Sequence, residues 1–100
     1  MVEYSIVIRP EVFIMLDVIY KNICDRAIDN SVAQNVIDSI ENTILSLKTL
    51  PERGSNVVTG MYANKGYRKL IVKSHIIIYK VLQIEKKVVI VFVKPEKMNT

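Results

Sequence analysis

Aromatic rings and cations interleave at Tyr62, Lys65, Tyr67, Arg68 and Lys69, residue types that together could grip a nucleic-acid strand. Lysine and arginine attract phosphate, and each tyrosine offers a face on which a base can stack. Two tyrosines are also what any strand packs against its neighbours, so binding and plain strand packing both fit. His75 is the only histidine. Beside Ser74 at the head of a strand pattern it reads as a turn residue, and alone it cannot build a zinc site. Cys24 is the only cysteine, which excludes an internal disulfide and a cysteine-built metal centre. Between Ile23 and Asp25 in a helical pattern, it reads as a small, partly buried apolar side chain. The sequence holds no glycine-rich phosphate loop, nucleophile elbow, or pair of cysteines or histidines. It therefore predicts a protein without metal or cofactor.

The cations are unevenly placed. Residues 1–50 hold four basic side chains (Arg9, Lys21, Arg26, Lys48) against seven acidic ones, a net of −3, whereas residues 51–100 hold ten against three, a net of +7. Such a split gives one face that meets an anionic partner, nucleic acid or an acidic protein segment; the alternative is a lysine-rich face that meets only water. With 100 residues, half of them hydrophobic, the expectation is a single domain over residues 1–100. No basic, apolar signal segment opens the chain, and no apolar run nears the roughly 18 residues that span a bilayer, so a soluble cytoplasmic protein without membrane contact is expected.

The elements that must position these residues follow from periodicity. Val2–Arg9 is rich in β-branched residues and predicts a strand. Pro10 suits the first turn of a helix that runs to about Asp29. Val12, Leu16, Ile19, Ile23 and Ala27 form its inward stripe, yet Phe13, Ile14, Met15, Val18, Tyr20 and Ile28 are apolar too, more than one buried face uses. Ser31, with Gln34 three residues on, offers a capping box for a second helix. Its stripe Ala33, Val36, Ile37, Ile40, Ile44 and Leu47 is clean, and Leu50-Pro51 ends it. Arg53–Asn64 reads as a loop with a short extended piece. Strands at Tyr67–Lys73, His75–Leu82 and Lys87–Val93 are joined tightly enough for antiparallel hairpins. The fold class is α+β in the order β-α-α-β-β-β, a small antiparallel sheet with a helical hairpin packed on one face and the other face open to water or a partner. Side-chain alternation separates Arg68, Leu70 and Val72 from Tyr67, Lys69, Ile71 and Lys73, and Tyr79 reads as core with its hydroxyl bonded at an edge.

Several phrases then fall in a telling order: Tyr4–Arg9 before the first helix, Ile40-Glu41 and Ile44–Leu47 in the second, and Pro51-Glu52-Arg53-Gly54-Ser55 after it. Tyr67–Lys73, Ile77–Val81 and Val88–Val93 complete the series. Over nearly the whole chain this order resembles the RelE/ParE superfamily of type II toxin–antitoxin toxins, and the Pro51–Ser55 loop and Arg68–Lys73 strand are closer to its ParE-like branch. The resemblance implies a growth inhibitor neutralised by a cognate antitoxin. ParE-like members poison DNA gyrase. RelE-like members are metal-free endoribonucleases that cut mRNA on the ribosome, where the ribose 2′-OH attacks the adjacent phosphate and cations stabilise the developing charge.

This chain keeps little of the ribonuclease set. Arg68 matches one basic position, but Leu70 stands where a second is expected, and Ile76 replaces an arginine on the next strand. Lys94–Thr100 replaces the arginine-bearing, tyrosine-ended tail, and also lacks the pattern of a histidine followed by basic residues that ends ParE-like chains. A ribonuclease would have to rebuild its site from Arg68, Lys69, Lys73 and Lys80. The preferred reading is a gyrase poison whose target meets Lys65, Arg68, Lys69 and Lys73. A ribosome-dependent mRNA endoribonuclease is the alternative, and a non-toxic basic module binding protein or RNA is the second. The surplus apolar residues Phe13, Val18, Tyr20 and Ile28 mark the surface that the antitoxin, or a second copy in a homodimer, is expected to cover.

Overall fold

A residue without an N–H loses nothing at a helix start, and Pro10 accordingly opens α1, which spans Pro10–Arg26. The computed structural model describes residues 2–27 and 29–96. Before α1 lies β1 (Ser5–Ile8), and after it α2 (Asn30–Ser46). The chain leaves α1 at Ala27, whose backbone is extended, so the helix stops short of the expected Asp29. Asp29 instead caps α2, its carboxylate accepting the Ser31 N–H at 2.7 Å. That backbone hydrogen bond holds the Asp29 carboxyl below its ordinary pKa. The expected capping box at Ser31 is therefore not formed. Aspartate caps as well as serine does and comes first along the chain, while Gln34 donates to the Asp38 carboxylate at 2.8 Å, one helical turn on.

Four further strands follow, β2 (Ser55–Asn56), β3 (Tyr67–Val72), β4 (His75–Leu82) and β5 (Lys87–Pro95), in the spatial order β1-β5-β4-β3-β2. The pairs β2–β3, β3–β4 and β4–β5 are antiparallel. The pair β1–β5 is parallel, so the sheet is mixed and not wholly antiparallel as expected. Tight turns force antiparallel neighbours, as at Lys73 and Ser74, both left-handed, between β3 and β4. No turn joins β1 to β5, which meet from opposite ends of the chain, and alternation along a strand carries no information about its direction.

The core lies between the helices and one sheet face. Val12, Leu16 and Ile19 of α1 and Ile40, Ile44 and Leu47 of the second helical segment meet Ile77, Tyr79, Val88, Ile90 and Val93. The register breaks between Ile78, which pairs with Phe92, and Tyr79, which pairs with Ile90, leaving Val91 as an extra residue. This bulge reverses the alternation along β5. Val88, Ile90 and Val93 all face the helices as a result, and Phe92 and Lys94 face away. Among the described residues no helix is long and apolar enough to cross a membrane.

Candidate functional site

Strand register decides which cations act together. Tyr67 lies opposite Lys80, Lys69 opposite Ile78, Ile78 opposite Phe92 and Ile76 opposite Lys94. Tyr67, Lys69, Lys80, Phe92 and Lys94 therefore share the face that the helices leave free. That face is not bare, contrary to expectation. The segment after β2 folds back on it: the Val57 N–H donates to the Tyr67 carbonyl at 3.0 Å, and the Asn64 N–H to the Val57 carbonyl at 2.9 Å. Left-handed backbone at Gly60, Asn64 and Gly66 makes the bends. The segment carries Tyr62 edge-on to Tyr67, ring centroids 4.9 Å apart, and within 6.3 Å of Phe92. Ile78 is buried as a result of this cover. An open face would have left Ile78 in water; at the far end of β3, Ile71 on the same face stays 53% exposed.

Cations ring this aromatic cluster. The Lys80 ammonium sits 5.2 Å from the centre of the Tyr67 ring, a cation–π contact. A side chain added at Gly66 would meet Lys80 at 3.7 Å, which places the exposed Lys65–Gly66 turn beside it. Lys69 and Lys94 are half-buried along their stems on the same face. Lys73 sits in the β3–β4 turn, at the opposite end of β3 from Tyr67. His75 closes that turn, its Nδ1 2.8 Å from the Lys73 carbonyl oxygen, in keeping with a turn role.

Arg68 is not brought together with these lysines. It pairs with Tyr79 in register and lies on the helix side. Its guanidinium donates to the Gly54 carbonyl at 2.6 Å and the Glu52 carbonyl at 3.3 Å, and pairs with the Glu52 carboxylate at 3.4 Å. The Gly54 N–H in turn donates to the Tyr79 hydroxyl at 2.9 Å. Tyr79 is fully buried, and that burial pushes its phenol pKa up. A Cβ at position 54 would stand 2.6 Å from both the Lys69 carbonyl oxygen and the Tyr79 hydroxyl, so only glycine fits. Arg68 thus latches the Pro51–Ser55 segment onto the sheet. The sequence contained the parts of this latch, but nothing in their spacing joined positions 54, 68 and 79.

On the other side of the molecule, Phe13, Leu16, Asp17 and Tyr20 of α1 and Ile37 and Glu41 of α2 line a shallow groove of about 150 Å³. Phe13 is 53% exposed there. Tyr20 is half-buried beside Cys24, whose thiol, followed by burial, raises the Tyr20 pKa. Val18 is not in this groove. With about 100° between successive helix residues, it and Ile14 point away from both the sheet and α2. Ile14, at 66% exposed, is more open than Phe13 or Val18. Ile28 and the tail residues Lys97–Thr100 lie outside the described residues. A second cleft, about 530 Å³, runs between β1 and the end of α2, lined by Tyr4, Ile6, Ile8, Leu45 and Lys48 among others.

Comparison with known proteins gives this geometry a family. The family described as the ParE toxin of the type II toxin–antitoxin system parDE matches residues 6–100. Two solved structures share the fold. A chain of the chromosomal ParDE toxin–antitoxin system of P. aeruginosa is 16% identical, with a TM-score of 0.76 over 95% of this chain and 98% of its own. A chain of the RelBE2 toxin–antitoxin complex of Mycobacterium tuberculosis is 17% identical, with a TM-score of 0.63 over 95% and 93%. No curated protein matches by sequence. The family match runs from β1 through every later element of the fold, and the chain belongs to the ParE toxin family of type II toxin–antitoxin systems.

Proposed function

We propose that this toxin poisons DNA gyrase by way of its basic sheet face, and that an antitoxin helix lying in the Phe13–Tyr20 groove takes part in holding it inactive. The single observation that carries the choice of a protein target is the lack of a phosphate-neutralising set. Leu70 packs against the core, Ile76 stands between Ile71 and Lys94, and Arg68 is spent on the 52–54 segment. An aliphatic side chain cannot stabilise a developing phosphorane, and losing such a cation typically slows a reaction by orders of magnitude. Membership of the ParE family supports the same choice. The antitoxin half rests on Phe13, a large apolar side chain left half in water beside a groove with apolar walls.

One observation favours the endoribonuclease as a second reading: Lys80 and Lys69 flank Tyr67, so a base stacked there would bring its phosphates near two ammonium groups. Inducing the chain alone should arrest growth, and co-expressing the antitoxin should restore it. A DNA-damage response with intact transcripts supports the gyrase reading. Discrete, codon-phased fragments of a translated message in a cell-free system without added metal would refute it in favour of the ribonuclease.

A further inference from the structure

The outward side of α1 carries a pattern that neither the core nor the antitoxin groove uses. Glu11, Ile14, Val18, Lys21 and Asp25 recur at spacings of three, four, three and four residues, the seam period of a helix that packs against another helix. Ile14 and Val18 are 66% and 51% exposed, and Glu11, Lys21 and Asp25 are exposed as well. Among the described residues the only ion pair is Arg68–Glu52, so none of them forms a salt bridge with the charges of this seam. Two apolar residues on a helix surface would call for no explanation by themselves. Their arrangement does. Ile14 and Val18 lie two residues either side of position 16, and Glu11 and Lys21 lie five residues either side of it. A two-fold axis at that point would lay Ile14 on the partner's Val18 and Glu11 on the partner's Lys21, twice over. Asp25 would reach the start of the partner's helix, where Arg9 makes no side-chain cap and the first N–H groups favour a carboxylate.

We infer that α1 of one copy packs antiparallel on α1 of a second copy along this seam, forming a homodimer. The charge reversal about one midpoint selects the occupant: a second copy meets it with opposite charges at both ends, whereas a parallel copy would oppose like charges. The seam is only roughly 20 Å long. That is short of a standard interface of about 1,200–2,000 Å², so the dimer is a weak one that forms with rising concentration. Phe13 and Tyr20 lie on another flank of the helix, and the antitoxin reading stands or falls separately.

Sedimentation equilibrium of the full chain from cell-free synthesis, across about 10–500 µM, tests the inference. The average mass should climb towards that of a dimer with concentration. Lys21→Glu alone, and Glu11→Lys alone, should each weaken association at least tenfold by opposing like charges. The double variant Glu11→Lys/Lys21→Glu should recover to within about threefold of the original, and Val18→Glu should abolish association while circular dichroism shows the fold retained. Three results would each overturn the proposal: a monomer at every concentration, a double variant no better than the singles, or a Val18→Glu chain that still dimerises. A monomeric chain in which Val18→Glu instead weakens antitoxin capture tenfold would also overturn it, assigning the seam to the antitoxin.

Discussion

Tyr79→Phe removes one oxygen from the centre of the molecule, and its cost can be worked out from the latch. The ring stays, so the packing of the core is unchanged and no large cavity opens. What is lost is the acceptor for the Gly54 N–H, held at 2.9 Å inside a buried site. A buried donor left without an acceptor costs about 1–3 kcal/mol, more than the net worth of an ordinary hydrogen bond, because it has also given up water. Arg68 still grips the Gly54 carbonyl at 2.6 Å, which keeps the segment from swinging out to find a new partner. For a domain of this size 1 kcal/mol moves Tm by about 4–8 °C, so a fall of roughly 5–20 °C is expected in thermal denaturation followed by circular dichroism. Tyr67→Phe, on the far sheet face, is the control and should shift Tm by no more than about 3 °C, as surface changes do. Gly54→Ala should be worse than Tyr79→Phe, since its Cβ would collide with backbone at Lys69 as well as with the phenol. A Tyr79→Phe protein that melts within about 2 °C of the original would refute the latch as a stabilising device.

Three further outcomes are expected. Replacing Lys69, Lys80 and Lys94 together with alanine should abolish growth arrest and leave the fold intact, and undiminished arrest by a folded triple variant would reduce the basic face to a solvated one; binding of the target to the unaltered face should weaken steeply with added salt. Phe13→Glu should weaken antitoxin binding roughly 10–100-fold, the equivalent of about 1.5–3 kcal/mol for one buried anchor, whereas Asn42→Glu should change it little; equal losses at both positions would remove the groove from the antitoxin reading. Asp29→Ala should lower Tm at neutral pH, and because the folded carboxyl titrates below its ordinary 3.8, the difference between the two proteins should persist above that pH and disappear as pH falls through the depressed value. A difference unchanged at pH 2 would mean that the capping bond is not its source.

How far these features could be read from sequence depends on the range of the interactions behind them. The stripes of both helices were legible because they repeat locally, and Val12, Leu16, Ile19, Ile40 and Ile44 are core as expected. Tyr79 was legible for a similar reason, an aromatic residue within an aliphatic strand. Alternation correctly split Arg68 from Lys69, but not which set faces the helices, because only pairing across the sheet fixes that. Along β5 alternation fails outright at Val91, where one unpaired residue sends Phe92 and Lys94 to the basic face. Their part in the cluster depends on that bulge and on Tyr62 arriving from a loop. Arg68 shows the same limit from another side: its charge suggested a target, while its partners Glu52 and Gly54 lie in a segment that only the fold brings to it.

The placement of the surfaces also constrains how neutralisation can work. The Phe13–Tyr20 groove lies on the helix side, and Lys69, Lys80 and Tyr67 lie on the opposite side of the sheet. An antitoxin helix confined to the groove leaves the basic face exposed, so it cannot block a target there by direct contact. It must reach round an edge or change the sheet from behind. The edge at β1 offers a path. In a parallel ladder alternate residues bond to the neighbouring strand, and Ser5 and Arg9 donate to the Lys86 and Ile90 carbonyls. Ile6 and Ile8 therefore turn their N–H and C=O groups outwards, beside the 530 Å³ cleft that Leu45 walls on the other side. An extended antitoxin segment following the helix could pair with those groups and carry on towards the basic face. An antitoxin cut back to its groove-binding helix should then still capture the toxin but fail to rescue growth. Full rescue by that helix alone would mean that the groove controls the sheet face through the core between them.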